Sequence, residues 1–149
     1  MKIAIGSDEA GFGLKEIIIQ YLQEMGLEVE DYGVYDRNPV LYPDIAYKVA
    51  TTVSAGQHER GILICGTGIG MAITANKVPG IRAAVCHDVY SAERSRKSNN
   101  CQVMCLGARI VADELAKLLV KSWLESDFQG GGSTAKVERI TKIEEEFTG

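Results

Sequence analysis

Hydrophobic positions along the chain follow two alternating rhythms. "KIAIGS" (residues 2–7) is apolar and β-branched and ends at Gly6 and Ser7, which predicts a buried parallel strand with Asp8 at its carboxyl end. In "GLKEIIIQYLQEMG" (residues 13–26) Leu14, Ile17, Ile18, Tyr21 and Leu22 recur at helical spacing, and Gly26 suits the stop. "LEVEDYG" (27–33) reads as a second strand and "YPDIAYKVATTVSAG" (42–56) as a helix started after Pro43 and closed at Gly56. "RGILIC" (60–65) is the third strand. "IRAAVC" (81–86) and "CQVMCLG" (101–107) supply the fourth and fifth, separated by the helix "DVYSAERSRKSNN" (88–100). "ADELAKLLVKSWLES" (112–126) is a longer helix, "FQGGGST" (128–134) a flexible-looking linker, and "AKVERITKIEEEF" (135–147) a charged final helix.

Strands alternating with helices predict an α/β fold: a three-layer αβα sandwich, Rossmann-like, with a five-stranded parallel sheet and a C-terminal helix. Ligands of such sheets bind beyond the carboxyl ends of the strands. Asp8, Cys65, His87 and the segment around Arg109 are expected there.

At 149 residues with 46% hydrophobic content, the chain is expected to form one domain over residues 1–149. A formal charge of -4 argues against a broad nucleic-acid surface, so the expected ligand is small. The apolar start is too short for a signal peptide's core and no stretch approaches a membrane span. Cys65, Cys86, Cys101 and Cys105 show no C-x-x-C spacing, and His58 and His87 form no zinc-finger pattern. A cytoplasmic protein with reduced thiols and no structural zinc is expected.

The chemistry concentrates in "ILICGTGIGMAITANKVPG" (62–80), where an apolar run meets Gly66, Gly68 and Gly70 and then a helix-compatible segment. A glycine turn there presents backbone N–H groups to an anion. It is not a Walker A loop, because no Gly-Lys-Ser/Thr follows, and its spacing is not G-x-G-x-x-G. A purely structural turn and an anion-binding one both fit, and the Thr67 hydroxyl adds a donor to the second. Cys65 is either a small core residue or a base whose thiolate is favoured beside a helix N-terminus. Cys86, Cys101 and Cys105 read as core residues within strands. Asp8 is a helix cap or a site acid, and Glu9 a solvated neighbour. Arg109 and Lys136 read by default as surface cations, and His87 is a loop residue or an acid/base near the cleft.

"GSDEAGFGLK", "YPDIA", "GILICGTGIGMAITANKVPGIRAAV", "SRKSNN" and "GARIV", in that order, resemble the ribose-5-phosphate isomerase B family, which also includes the galactose-6-phosphate isomerase subunits. The resemblance covers nearly the whole chain. It implies a homodimer with shared sites that interconverts aldose and ketose phosphates with no metal or nucleotide cofactor. Whether dimers pair into tetramers stays open. By resemblance Cys65 is the base that moves a proton between C1 and C2, while Thr67 and the amides of Gly66, Gly68, Ile69 and Gly70 hold the enediolate. Asp8 and Tyr42 match positions that contact sugar hydroxyls, and Asn99 and Arg109 match positions from the neighbouring subunit, Arg109 for phosphate.

Several positions depart from the family pattern. Its Asp-His pair is Asp8-Glu9 here, the histidine before the Asn99 position is Ser98, and the C-terminal Arg-His and Arg become Gly132-Ser133 and Lys136. Lys136 keeps a charge without the bidentate fork of arginine. In the family the absent histidine opens the cyclic sugar, which is acid/base work. A tetrose 4-phosphate cannot close a furanose, because its C4 oxygen carries the phosphate. "HDVYSAERS" with "SNN" also resembles the family's erythrose-4-phosphate isomerase branch. The expected substrate is therefore a phosphorylated tetrose, with ribose 5-phosphate the rival if Ser98, Glu9 or His87 opens the ring. A noncatalytic sensor and an inactive partner subunit remain the alternatives to an enzyme.

Overall fold

A computed structural model describes residues 1–148. The strands are β1 (Lys2–Ser7), β2 (Glu28–Asp31), β3 (Arg60–Cys65), β4 (Ala83–Val85) and β5 (Val103–Gly107). The helices are α1 (Phe12–Glu24), α2 (Tyr42–Ser54), α3 (Ile69–Ala75), α4 (Val89–Lys97), α5 (Asp113–Leu124) and α6 (Thr134–Thr148), with a short 3-10 turn at Gly131–Ser133. All pairings are parallel and the strand order is β2-β1-β3-β5-β4. The expected α/β architecture is present.

Side chains of a buried strand alternate between faces, and here each face has its own core. Ile3, Ile5, Ile62, Ile64, Met104 and Leu106 meet α1, α4 and α5 through Leu14, Ile18, Ala92, Leu119 and Trp123. Ala4, Leu63, Cys65, Val103 and Cys105 meet α2 and α3 through Ile45, Val49, Met71 and Ala75. The connections from β1 leave towards β2 and those from β2 return to β3, so β1 and β3 flank the switch point.

Some boundaries differ from the sequence reading. α2 opens at Tyr42, one residue before Pro43, which the first turn accepts because its missing N–H has no partner there anyway. β2 and β4 keep only their central residues. β5 likewise starts only at Val103, so Cys86 and Cys101 lie outside the strands, though both are buried, while Cys105 sits within β5. Burial pushes the Cys101 thiol up to about 11 and the Cys86 thiol upward, as core thiols require.

Candidate active site

The carboxyl ends of β1, β3 and β5 bring together Asp8, the β3–α3 loop and Arg109. Ser7 pairs with Ile64 and Cys65 with Gly107, so the three strand ends are neighbours about 4.8 Å apart. Asp8 N–H donates to Ile64 C=O at 3.3 Å, and Ala108 N–H to Cys65 C=O at 2.8 Å.

Cys65 is the last residue of β3 and is 5% exposed. Its Sγ accepts the Gly68 N–H at 3.1 Å. Gly68 adopts φ +78, the left-handed conformation that glycine takes without a Cβ penalty. After that turn the Ile69 N–H donates to Thr67 Oγ1 at 3.3 Å. Thr67 and Ile69 are exposed on the loop's outer side. The Tyr42 hydroxyl and ring lie so close over Gly70 that a Cβ there would overlap them. The Arg109 guanidinium lies over Gly66, its Nη1 2.9 Å from where a Cβ would be built.

Arg109 thus lies beside the loop of its own chain, whereas the resemblance implies an Arg109 contributed by the neighbouring subunit. Its N–H donates to Gly66 C=O at 3.0 Å, so the residue after β5 is fixed to the loop after β3. Asp8 is buried, and burial raises its carboxyl above the usual range, against lowering by the Gly11 N–H and the Arg109 charge. Asp8 Oδ1 accepts the Gly11 N–H at 3.0 Å, one residue ahead of α1, and no side chain caps that helix.

Glu9 and His87 hold backbone. Glu9 Oε2 accepts the Val40 N–H at 3.2 Å and steadies the segment that leads into Tyr42. His87 Nε2 accepts the Gly107 N–H at 2.9 Å, which fixes its proton on Nδ1 in the neutral ring. Burial pushes the His87 pKa down, against the upward pull of Asp88.

Ser98, Asn99 and Lys136 lie elsewhere. α4 runs back from the carboxyl end of β4 towards the start of β5, so Ser98 and Asn99 sit at the amino end of the sheet, opposite Cys65. α6 follows at that end, where Glu144 Oε2 accepts the Gly80 N–H at 2.9 Å just before β4. Ser98 and Asn99 are thereby set apart from the Cys65 of their own chain. Arg94 is the residue that the sequence reading missed: its Nε donates to Ser98 Oγ at 2.7 Å. The (i, i+4) spacing of Arg94 and Ser98 on a predicted helix was the available signal.

Among the described residues no three His, Cys, Asp or Glu side chains gather as a metal site, and no helix is long and apolar enough to cross a membrane.

Fold and loop together define a doubly wound α/β protein with a buried thiol and a glycine turn at its switch point. Comparison with known proteins narrows this class. The family model for ribose/galactose isomerases matches residues 3–143. D-erythrulose-4-phosphate isomerase of Pectobacterium atrosepticum is 58% identical over 143 residues, 94% of this chain and 93% of that protein. Ribose-5-P isomerase B of Listeria innocua is 54% identical, over 97% of this chain and 98% of that one. The structure of Clostridium thermocellum ribose-5-phosphate isomerase B superposes with a TM-score of 0.98 at 47% identity, covering 99% of this chain and 100% of the other. The chain belongs to the ribose/galactose isomerase family. It is a sugar isomerase of the ribose-5-phosphate isomerase B type.

Proposed function

We propose that the chain interconverts erythrose 4-phosphate and erythrulose 4-phosphate through an enediolate. The observation that carries the chemistry is Cys65 Sγ at 3.1 Å from the Gly68 N–H, at the base of an amide-lined loop. Cys65 thiolate takes the C2 proton of the aldose, and the electron pair forms the C1–C2 double bond and places charge on O1. The loop amides and the Thr67 hydroxyl hold that charge, which exists only past the ground state and so accelerates the step. The proton returns to C1, the O2 proton passes to O1, and the ketose results. Asp8 and Tyr42 hold hydroxyls, and Arg109 adds positive charge over Gly66.

A tetrose substrate accounts for the three candidates that could have opened a ring. Ser98 Oγ accepts from Arg94, Glu9 from Val40 N–H and His87 Nε2 from Gly107 N–H, so each is engaged within its own chain. The relative named D-erythrulose-4-phosphate isomerase supports the same choice. Placement of Ser98, Asn99 and Lys136 at the far end of the sheet supports a homodimer whose copies complete each other's sites. Four free, buried thiols support a reducing, cytoplasmic setting.

Two measurements test this. Cys65→Ala should fold and bind substrate yet lose exchange of the C1/C2 proton with solvent; near-normal exchange removes Cys65 from the mechanism. The ratio of kcat/KM for erythrose 4-phosphate over ribose 5-phosphate should favour the tetrose, and a preference for ribose beyond about tenfold, about 1.4 kcal/mol, ends the tetrose assignment.

A further inference from the structure

One turn of α4 joins three groups. Arg94 Nε donates to Ser98 Oγ at 2.7 Å, Arg94 Nη2 meets the same oxygen, and Asn99 Nδ2 donates to the Arg94 C=O at 2.9 Å. Arg94 and Asn99 both line a cavity of about 620 Å³ along the edge strand β4, together with Arg82, Asn76 and Ser91. Ile140 and Glu144 of α6 line it too. Lys136 stands one helical turn before Ile140, on the same stripe of α6.

Arg94 is weakly compensated. Glu93 Oε1 lies 3.8 Å from Arg94 Nη1, beyond hydrogen-bond distance, and is closer to Lys97 Nζ at 3.3 Å. Among the described residues Arg94 Nη1 makes no hydrogen bond, and Glu144 turns one oxygen to the Gly80 N–H. A half-buried guanidinium is thus tethered by a neutral hydroxyl, with donors left over, beside the carboxamide that faces the same cavity. That combination fits a phosphoryl dianion, which takes bidentate N–H donors.

From this geometry we infer that Arg94 is the substrate-specificity residue that holds the phosphate of the short sugar, acting with Asn99 in the site of the neighbouring subunit. The inference rests on the proposed tetrose reading and its shared site. Removing one carbon brings the phosphate nearer the reacting carbons, so it needs donors other than those that serve a longer sugar. Ser98 then has a use that a ring opener would not: its small hydroxyl leaves space and fixes the guanidinium in advance. A longer, cationic or aromatic side chain at position 98 would compete for that space.

The test compares wild type with Arg94→Met, Arg94→Lys and Ser98→Ala on erythrose 4-phosphate, with inorganic phosphate as competing probe. Arg94→Met should lower kcat/KM about 10- to 100-fold and weaken phosphate inhibition by a similar factor, as expected for loss of a charged hydrogen-bonding partner. Arg94→Lys should recover part of both, and Ser98→Ala should raise KM more than it lowers kcat. Mixing Arg94→Met with Cys65→Ala chains should restore activity, because one site then has both native residues. Unchanged phosphate inhibition in Arg94→Met overturns the inference, and so does lost thermal stability as its sole effect. Should Arg94→Met fail to fold, Arg94→Lys and Ser98→Ala decide the matter by the same readouts. A wild type inactive on tetrose phosphate defeats the function reading instead; phosphate inhibition of ribose 5-phosphate turnover, unaltered by Arg94→Met, would then defeat this inference separately.

Discussion

Gly70→Ala separates the shape of the loop from the stability of the fold. Gly70 is the second residue of α3, where alanine is favoured over glycine by about 1 kcal/mol. The added methyl would overlap the Tyr42 hydroxyl and ring, so one of the two must move. Tyr42 is 37% exposed and begins a helix at the surface, so its ring can swing out. Uncovering roughly 40–80 Å² of ring at about 25 cal/mol per Å² costs about 1–2 kcal/mol. Gain and cost nearly offset, leaving stability within about 1 kcal/mol and the melting temperature within about 4 °C of wild type.

Activity should fall much further, by about tenfold in kcat/KM, because Tyr42 no longer lies over the loop and a methyl stands there instead. The assay is a double-mutant cycle with Tyr42→Ala, read in both melting temperature and kcat/KM. In the Tyr42→Ala background, Gly70→Ala should stabilise by about 1 kcal/mol and cost little further activity. Additive losses would show that the glycine is needed for something other than Tyr42. Full activity in Gly70→Ala would show that the position of Tyr42 is irrelevant to turnover.

Mixing Cys65→Ala with Asn99→Ala chains should regenerate activity, whereas mixing Cys65→Ala with Arg109→Ala should not, since Arg109 lies over the loop of its own chain; recovery in the second mixture would put Arg109 across the interface. Burial raises the Asp8 carboxyl, so its ionised form destabilises the fold above the usual carboxylate range, and the penalty disappears as pH falls through the raised value. Asp8→Asn should therefore melt higher than wild type at pH 7, converge with it near pH 4, and lose activity; equal melting at pH 7 would refute the burial argument. The His87 pKa is lowered, so the unfolded chain takes the proton first and stability is lost as pH falls below about 6.5 towards the folded value. His87→Gln, which keeps an acceptor for the Gly107 N–H, should flatten that acid limb in a melting series from pH 7.5 to 5. Ser98→His should help ribose 5-phosphate more than the tetrose, and equal effects on both would detach Ser98 from substrate choice.

The strand and helix order was legible because both faces of the sheet are covered, which makes Ile3, Ile5, Ile62 and Ile64 part of apolar runs with clear ends. The glycine loop was legible for a related reason. A left-handed Gly68, whose Cβ would meet the Leu106 backbone, leaves few alternatives to glycine there, and the side chains of Tyr42 and Arg109 close over Gly70 and Gly66. Partner identity was not legible. In the sequence Glu9 reads as a solvated neighbour of Asp8 and His87 as a loop residue or an acid/base, yet each is bound to a backbone N–H from a distant segment, Val40 or Gly107. Such contacts depend on tertiary placement, which periodicity does not encode. The nearness of Arg109 to the loop of its own chain was not legible for the same reason: only the β3–β5 pairing brings Gly107 level with Cys65.

In the shared-site reading proposed above, the two halves of the site are held by different physics. The Cys65 half depends on a turn whose amides are fixed by backbone geometry. The Ser98 half depends on buried charge at the amino end of the sheet. Arg60 donates to Trp123 C=O at 2.7 Å and Ser126 C=O at 2.9 Å, while Arg96 reaches Ser126 C=O at 3.3 Å and Cys101 C=O at 2.8 Å. Both guanidinium groups are buried, and the carbonyls at the end of α5 supply the negative dipole that a buried cation needs. They tie the end of α4 to the segment leading into α6, the two elements that carry Ser98, Asn99 and Lys136. Lysine at position 96 would reach one carbonyl where arginine reaches two, so the α4 end would loosen while the Cys65 loop kept its geometry. In the shared-site reading that defect appears in the neighbouring subunit, which makes Arg96 a positioning residue acting across the interface.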